Sequence, residues 1–141
     1  MIVLDTHALV WWVNGDDALS KKAKAAIERE RELDGGQIIV SAISAWEIAM
    51  LVEREKLVLS MDVASWLTTV SAIDAVRFVP VDVESGLKSI DLPGEFHKDP
   101  ADRMIVATAR KLAVPLVTRD EKMVDESVLR RNARGERYVV V

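Results

Sequence analysis

The chain has 141 residues, 50% of them hydrophobic and 30% charged, with a mean hydropathy of +0.11. That is one domain's length with enough apolar matter for a core, so general disorder is excluded. Lys and Arg number 19 against 23 Asp and Glu, a net charge of −4; this excludes a protein that coats nucleic acid by charge alone.

There is no cysteine, which removes disulfides, thiolate metal sites and cysteine nucleophiles. The longest apolar run, Ala8 to Val13, is far short of the roughly 20 residues of a membrane span. Asp5 breaks the first apolar run, and no basic stretch precedes it, so a secretory signal is not expected. A single domain over 1–141, cytoplasmic and without membrane contact, is the expectation.

Taken in chain order, short β-branched runs alternate with helical patterns. Ile2-Val3-Leu4 reads as a strand ending on Asp5, followed by a helix over 6–13 and another over 19–33. After the turn signal Asp34-Gly35-Gly36 comes a strand over 37–40, then helices over 43–55 and 63–75. A third strand spans 76–81, where Pro80 marks an end or an edge. Helices follow over 83–90 and 100–113, a fourth strand over 115–118 and a fifth over 137–141. This alternation predicts βαβ units, hence an α/β fold: a three-layer α/β/α sandwich with a central, mainly parallel sheet. Ligands in such folds bind beyond the carboxyl ends of the strands, where strand order reverses.

Four acids stand at such places. Asp5 ends the first strand, and Asp120 follows the fourth strand after Arg119; each also suits a helix N-cap or loop. Glu47 shares a helix face with Ile43, Met50 and Leu51, with Trp46 beside it. A carboxylate on that stripe is partly buried and needs a cation, a donor or a metal. Asp99-Pro100-Ala101-Asp102 reads as N-cap, N1, N2 and N3, and from Asp102 the apolar face runs through Ile105, Val106, Ala109 and Ala113. Capping is a sufficient task for Asp99, so Asp102 is the favoured ligand of the two.

Thr6, Ser41, Ser44 and Thr118 accompany these acids. Without the four carboxylates the remaining charge is 19 against 19, which is neutral. Four ionised carboxylates cannot gather without a compensating cation. An all-oxygen set with no Cys and two His favours Mg²⁺ or Mn²⁺. Hydrolysis of a phosphodiester by water, assisted by one or two metal ions, is the chemistry that follows.

The sequence resembles the PIN-domain nucleases, specifically the VapC-type toxins of prokaryotic toxin–antitoxin modules. The resemblance spans essentially the whole chain. It rests on Ile2-Val3-Leu4-Asp5-Thr6-His7-Ala8, on Ser44-Ala45-Trp46-Glu47, on the run from His97 through Asp99 and Asp102 to Ala109, and on Leu116-Val117-Thr118-Arg119-Asp120. It implies a Mg²⁺- or Mn²⁺-dependent endoribonuclease, a homodimer and inhibition by a cognate antitoxin protein. The family's acids carry over to Asp5, Glu47, Asp102 and Asp120 as catalytic and metal-binding residues, with RNA as substrate. The role of Asp99 is left open.

His7 and His97 read as local hydrogen-bonding groups or as a proton shuttle and phosphate donor. Arg103 and Arg119 read as partners in intramolecular ion pairs or as phosphate contacts. The charges of 21–32 read as a solvated helix face, Glu28, Glu30 and Glu32 among them. Arg130, Arg131, Arg134 and Arg137 form a denser basic patch. Trp11, Trp12, Trp46 and Trp66 read as core or interface anchors. The alternatives are a receiver-like signalling module, a DxD-type phosphatase, in which His7 stands where a second acid is needed, and a catalytically inactive PIN-fold binding module.

Overall fold

The computed structural model describes residues 1–92 and 99–118. The expected fifth strand, over 137–141, lies outside these residues, as do Asp120, His97, Arg119 and the arginines from Arg130 onward.

Four strands are described: β1 (Ile2–Leu4), β2 (Ile38–Ser41), β3 (Val76–Val79) and β4 (Leu116–Val117). They form one sheet in the order β3-β2-β1-β4, and every pairing is parallel. Ile2 pairs with Ile38, Val3 with Leu116, and Ile38 with Val76. Strand order reverses between β1 and β4, so the crevice for a ligand opens at their carboxyl ends. A receiver-like module has its first strand between the second and third. Here β1 lies between β2 and β4, which removes that alternative.

The sheet is apolar on both faces. Ile2, Leu4, Ile38, Val40 and Val117 point to one side and pack in a core with Ala8, Leu9, Ala23, Ile27, Ile48, Trp66 and Val70. Val3, Ile39 and Leu116 point to the other and pack with Leu92, Ile105, Val106 and Ala109. This is the period of two that a strand imposes, and it makes the three layers.

The helices are α1 (Thr6–Asn14), α2 (Lys21–Glu32), α3 (Ala42–Glu53), α4 (Val63–Ser71), α5 (Val83–Ile90) and α6 (Pro100–Leu112). Side-chain caps set the start of each: Asp5, Ser20, Ser41, Asp62, Asp82 and Asp99 each accept a backbone N–H from the first turn. α4 stops at Ser71, short of the expected 75, because Ala75 takes a left-handed φ of 72° to turn the chain into β3. β3 stops before Pro80, which has no N–H to pair, and is an edge of the described sheet.

One reading of α2 is corrected. Lys21, Lys22, Lys24, Arg29 and Arg31 are exposed, but Glu30 is buried with Ala23 and Ile27. Its carboxylate pairs with the Met1 amino group and accepts the Gln37 N–H at 3.1 Å. The chain can turn there because Gly36 lies against Glu30; a Cβ on Gly36 would fall 2.0 Å from the Glu30 carbonyl oxygen.

α5 and α6 are fastened at both ends. Arg103, at the start of α6, donates from Nε to the Ser89 carbonyl at 2.8 Å and from Nη2 to the Ile90 carbonyl at 3.1 Å. Lys111, at the other end of α6, reaches Asp82 at 2.5 Å and Glu84 at 3.3 Å. Arg103 therefore satisfies the last carbonyls of α5, a structural duty the sequence reading did not include.

Candidate active site

Asp5, Ser41 and Thr118 stand at the carboxyl ends of β1, β2 and β4. Thr6 and Ser44 sit in the first turns of α1 and α3, and the Thr6 hydroxyl donates to Ser44 Oγ at 2.9 Å. Asp5, Thr6, Ser41, Ser44, Glu47 and Thr118 are all buried.

Asp5 is held on both carboxylate oxygens. Oδ1 accepts the Ala8 N–H at 2.7 Å, the capping bond of α1, and Oδ2 accepts the Thr118 hydroxyl. Burial pushes the Asp5 carboxyl above the ordinary aspartate range, and the negative charge of Glu47 pushes it the same way. The Thr118 and Ala8 hydrogen bonds and the nearby His7 oppose that rise. Asp5 is thus a strand-end carboxylate fixed in orientation and sensitive to the charge of Glu47.

Glu47 is on the buried stripe of α3, between Ser44 and Ile48, and is 7% exposed. The centre of that stripe lies at Ser44, Glu47 and Ile48, while Ile43, Met50 and Leu51 are half-buried. Glu47 Oε1 is buried and has no hydrogen-bond partner among the described residues. A desolvated carboxylate oxygen without a donor costs several kcal/mol, about 2–7 for even a neutral polar group. Trp46, one residue earlier, turns outward and is 56% exposed. His7 is exposed too, with its ring tilted 53° to that of Trp11 at 5.7 Å.

Asp102 is half-buried in the first turn of α6. Carboxylate oxygens of Glu47, Asp99 and Asp102 lie within 4.8 Å of one another. The structure therefore brings together Glu47 and Asp102 from the sequence-derived set, and adds Asp99. Asp5 is not among those three, and adjoins them through the charge of Glu47. Asp120 lies outside the described residues. The signal for Asp99 was its spacing of three from Asp102, which puts two acids on one side of a helix turn.

Among the described residues the donor set is all oxygen, with a buried carboxylate oxygen lacking a donor and three carboxylates within 4.8 Å of one another. These residues fit a hard divalent cation, which favours carboxylate oxygens over nitrogen or sulfur.

A parallel α/β sandwich with carboxylates at its strand-order reversal defines a class of acidic-site domains. The chain belongs to the PIN-domain family, whose description matches residues 2–126. It is 38% identical over 122 residues to ribonuclease VapC22 of Mycobacterium tuberculosis (strain ATCC 25618 / H37Rv), a stretch covering 86% of this chain and 88% of that one. Solved structures of the same fold include VapBC2 from Rickettsia felis, bound to a promoter DNA fragment, with a TM-score of 0.65 at 16% identity over 100% of this chain and 98% of that chain. VapC20 of Mycobacterium tuberculosis, a toxin that cleaves the sarcin–ricin loop, has a TM-score of 0.62 at 16% identity, covering 88% and 93% of the two chains. FitAcB from Neisseria gonorrhoeae has a TM-score of 0.61 at 21% identity, covering 87% and 90%.

Proposed function

We propose that this chain is the ribonuclease toxin of a toxin–antitoxin pair, a VapC-type enzyme that hydrolyses RNA phosphodiester bonds with Mg²⁺ or Mn²⁺. The observation that carries the metal dependence is Glu47: a buried carboxylate with an oxygen that finds no donor among the described residues, close to two further acids. An inactive PIN-fold binding module has no need to keep that costly arrangement.

Asp5, Glu47, Asp102 and Asp120 are the catalytic and metal-holding residues of this reading. A bound divalent cation supplies Lewis-acid stabilisation of the negative charge that builds on the phosphodiester as water attacks. The chain's own part is positioning. Thr118 and the Ala8 N–H hold the Asp5 carboxylate still, and the α3 stripe holds Glu47 inward. The Thr6–Ser44 hydrogen bond ties the starts of α1 and α3 together beneath them. The acids also keep RNA phosphates away until their charge is compensated, so substrate and cation arrive as a linked pair. Hydrolysis by water leaves 5′-phosphate and 3′-hydroxyl ends.

The cognate antitoxin is a protein that covers this site, the active assembly is a homodimer and the location is cytoplasmic. The test is cleavage of single-stranded and structured RNA by the purified chain, with Mg²⁺, with Mn²⁺ and with chelator. Cleavage is expected only with metal, with a loss of orders of magnitude in Asp5→Asn, Glu47→Gln and Asp102→Asn. Undiminished cleavage in chelator, or in Asp102→Asn, overturns the metal assignment.

A further inference from the structure

The cap of α6 carries more charge than capping needs. Asp99 has extended backbone angles, φ −67° and ψ 115°, and its Oδ1 accepts the Ala101 N–H at 2.9 Å and the Asp102 N–H at 3.3 Å. Asn, Ser or Thr fill that role about as well as Asp. The helix dipole favours a negative charge at this end. Yet the Asp99 carboxylate stands within 4.8 Å of those of both Glu47 and Asp102, where a neutral cap would satisfy the same two N–H groups without repulsion.

The independent observation is on another helix. Glu47 is more than nine-tenths buried, its Oε1 has no partner among the described residues, and its carboxylate is the third of this close group. Pro100 at the first helical position fixes the turn that sets Asp99 beside Asp102.

We propose that Asp99 is a ligand of the divalent cation, completing with Glu47 and Asp102 a three-carboxylate site while it caps α6. The proposal rests on the metal-dependent reading above and adds a residue to it. One carboxylate does both tasks: the oxygens that hold the cation belong to the group that starts the helix. Cation binding therefore stiffens the start of α6 and its link to α3. The two helices bring three carboxylates within 4.8 Å of one another, and the cation bridges them.

The experiment is Mn²⁺ titration of the full-length chain followed by the electron paramagnetic resonance signal of free Mn²⁺, with thermal melting at each step. No RNA is present, so the readout is independent of cleavage. Asp99→Asn keeps a good cap and removes the charge, and Asp99→Ser is a second capping variant. Both are expected to melt at or above the wild-type temperature without Mn²⁺. Both should bind Mn²⁺ about tenfold more weakly or worse, with a smaller Mn²⁺-dependent rise in melting temperature. Wild-type affinity in both variants, with affinity lost in Asp102→Asn, shows that Asp99 is a cap alone and overturns the proposal while the metal reading stands. A wild-type chain that takes up no Mn²⁺ overturns the metal reading itself, and the proposal with it.

Discussion

Asp5 shows what a single residue gives up for a site. Its carboxylate has two good donors, the Ala8 N–H and the Thr118 hydroxyl, yet burial and Glu47 still raise its pKa. A raised carboxylate pKa means that the ionised form is a net cost to the metal-free fold above the ordinary value near 3.8. Asn at this position can accept the Ala8 N–H and donate to Thr118, so it keeps both contacts without the charge. Asp5→Asn is therefore expected to melt at or above the wild-type temperature at pH 7 in chelator, while RNA cleavage falls by orders of magnitude. A melting temperature several degrees lower would mean that the carboxylate is structural. The acidic residues were legible because Asp5 ends a β-branched run and Glu47 interrupts an apolar stripe. The nearness of Asp99 to Glu47 was not legible, since it depends on how α3 and α6 approach across the sheet.

Among elements, the α5–α6 pair is where charge does the fastening. Asp82 caps α5 with Oδ1 and meets Lys111 with Oδ2. Lys111 and the Ser85 N–H hold the Asp82 carboxyl well below the usual carboxylate range, and Glu84 is lowered by Lys88 and Lys111. Lys111 is raised in turn, chiefly by Asp82. A depressed acid stabilises the fold above its unfolded value and loses that effect as pH falls below it; a raised lysine stabilises below its unfolded value and loses it as pH rises. The window runs from about 3.8 to about 10.5. Lys111→Gln should melt below the wild type by a constant, small margin from pH 5 to 9, because these groups are exposed and screened. The margin should begin to shrink as pH falls below about 3.8 and be lost only where the Asp82 carboxyl itself takes up a proton, well below the usual carboxylate range. A margin at pH 7 that high salt leaves unchanged would assign it to packing of the lysine stem. The helices themselves were legible from their 3.6-residue period and their Ser and Asp caps. Glu30 was not: α2 is charged nearly all round, and only the arrival of β1 and Gly36 buries one of its acids.

At the scale of the whole molecule, the alternation of strands and helices foretold a parallel sheet, but the order β3-β2-β1-β4 came from pairing between distant segments. The outer face of α5 presents Val83, Leu87 and Ile90 at 80%, 64% and 72% exposure, an apolar stripe at helical spacing. Monomers rarely leave such stripes uncovered. The proposed homodimer should sediment as a two-fold species at tens of micromolar. Leu87→Glu is expected to convert it to monomer if this stripe meets the second copy. A monomer in the wild type overturns the dimer, and a dimer that survives Leu87→Glu places its interface elsewhere.

The bond between Thr118 and Asp5 closes a separation of 113 residues, and that distance has a meaning in time as well as space. A ribosome that has released the first 92 residues has made β1, β2 and β3, with Asp5 and Glu47 already in hand. It has yet to make the α6 acids or the β4 strand that orients Asp5. Under the proposed activity, a half-made chain carries no working blade. The cell's RNA, including that of the ribosome producing the chain, is exposed to cutting only once β4 has been made. A partner made beforehand has that whole interval in which to be waiting.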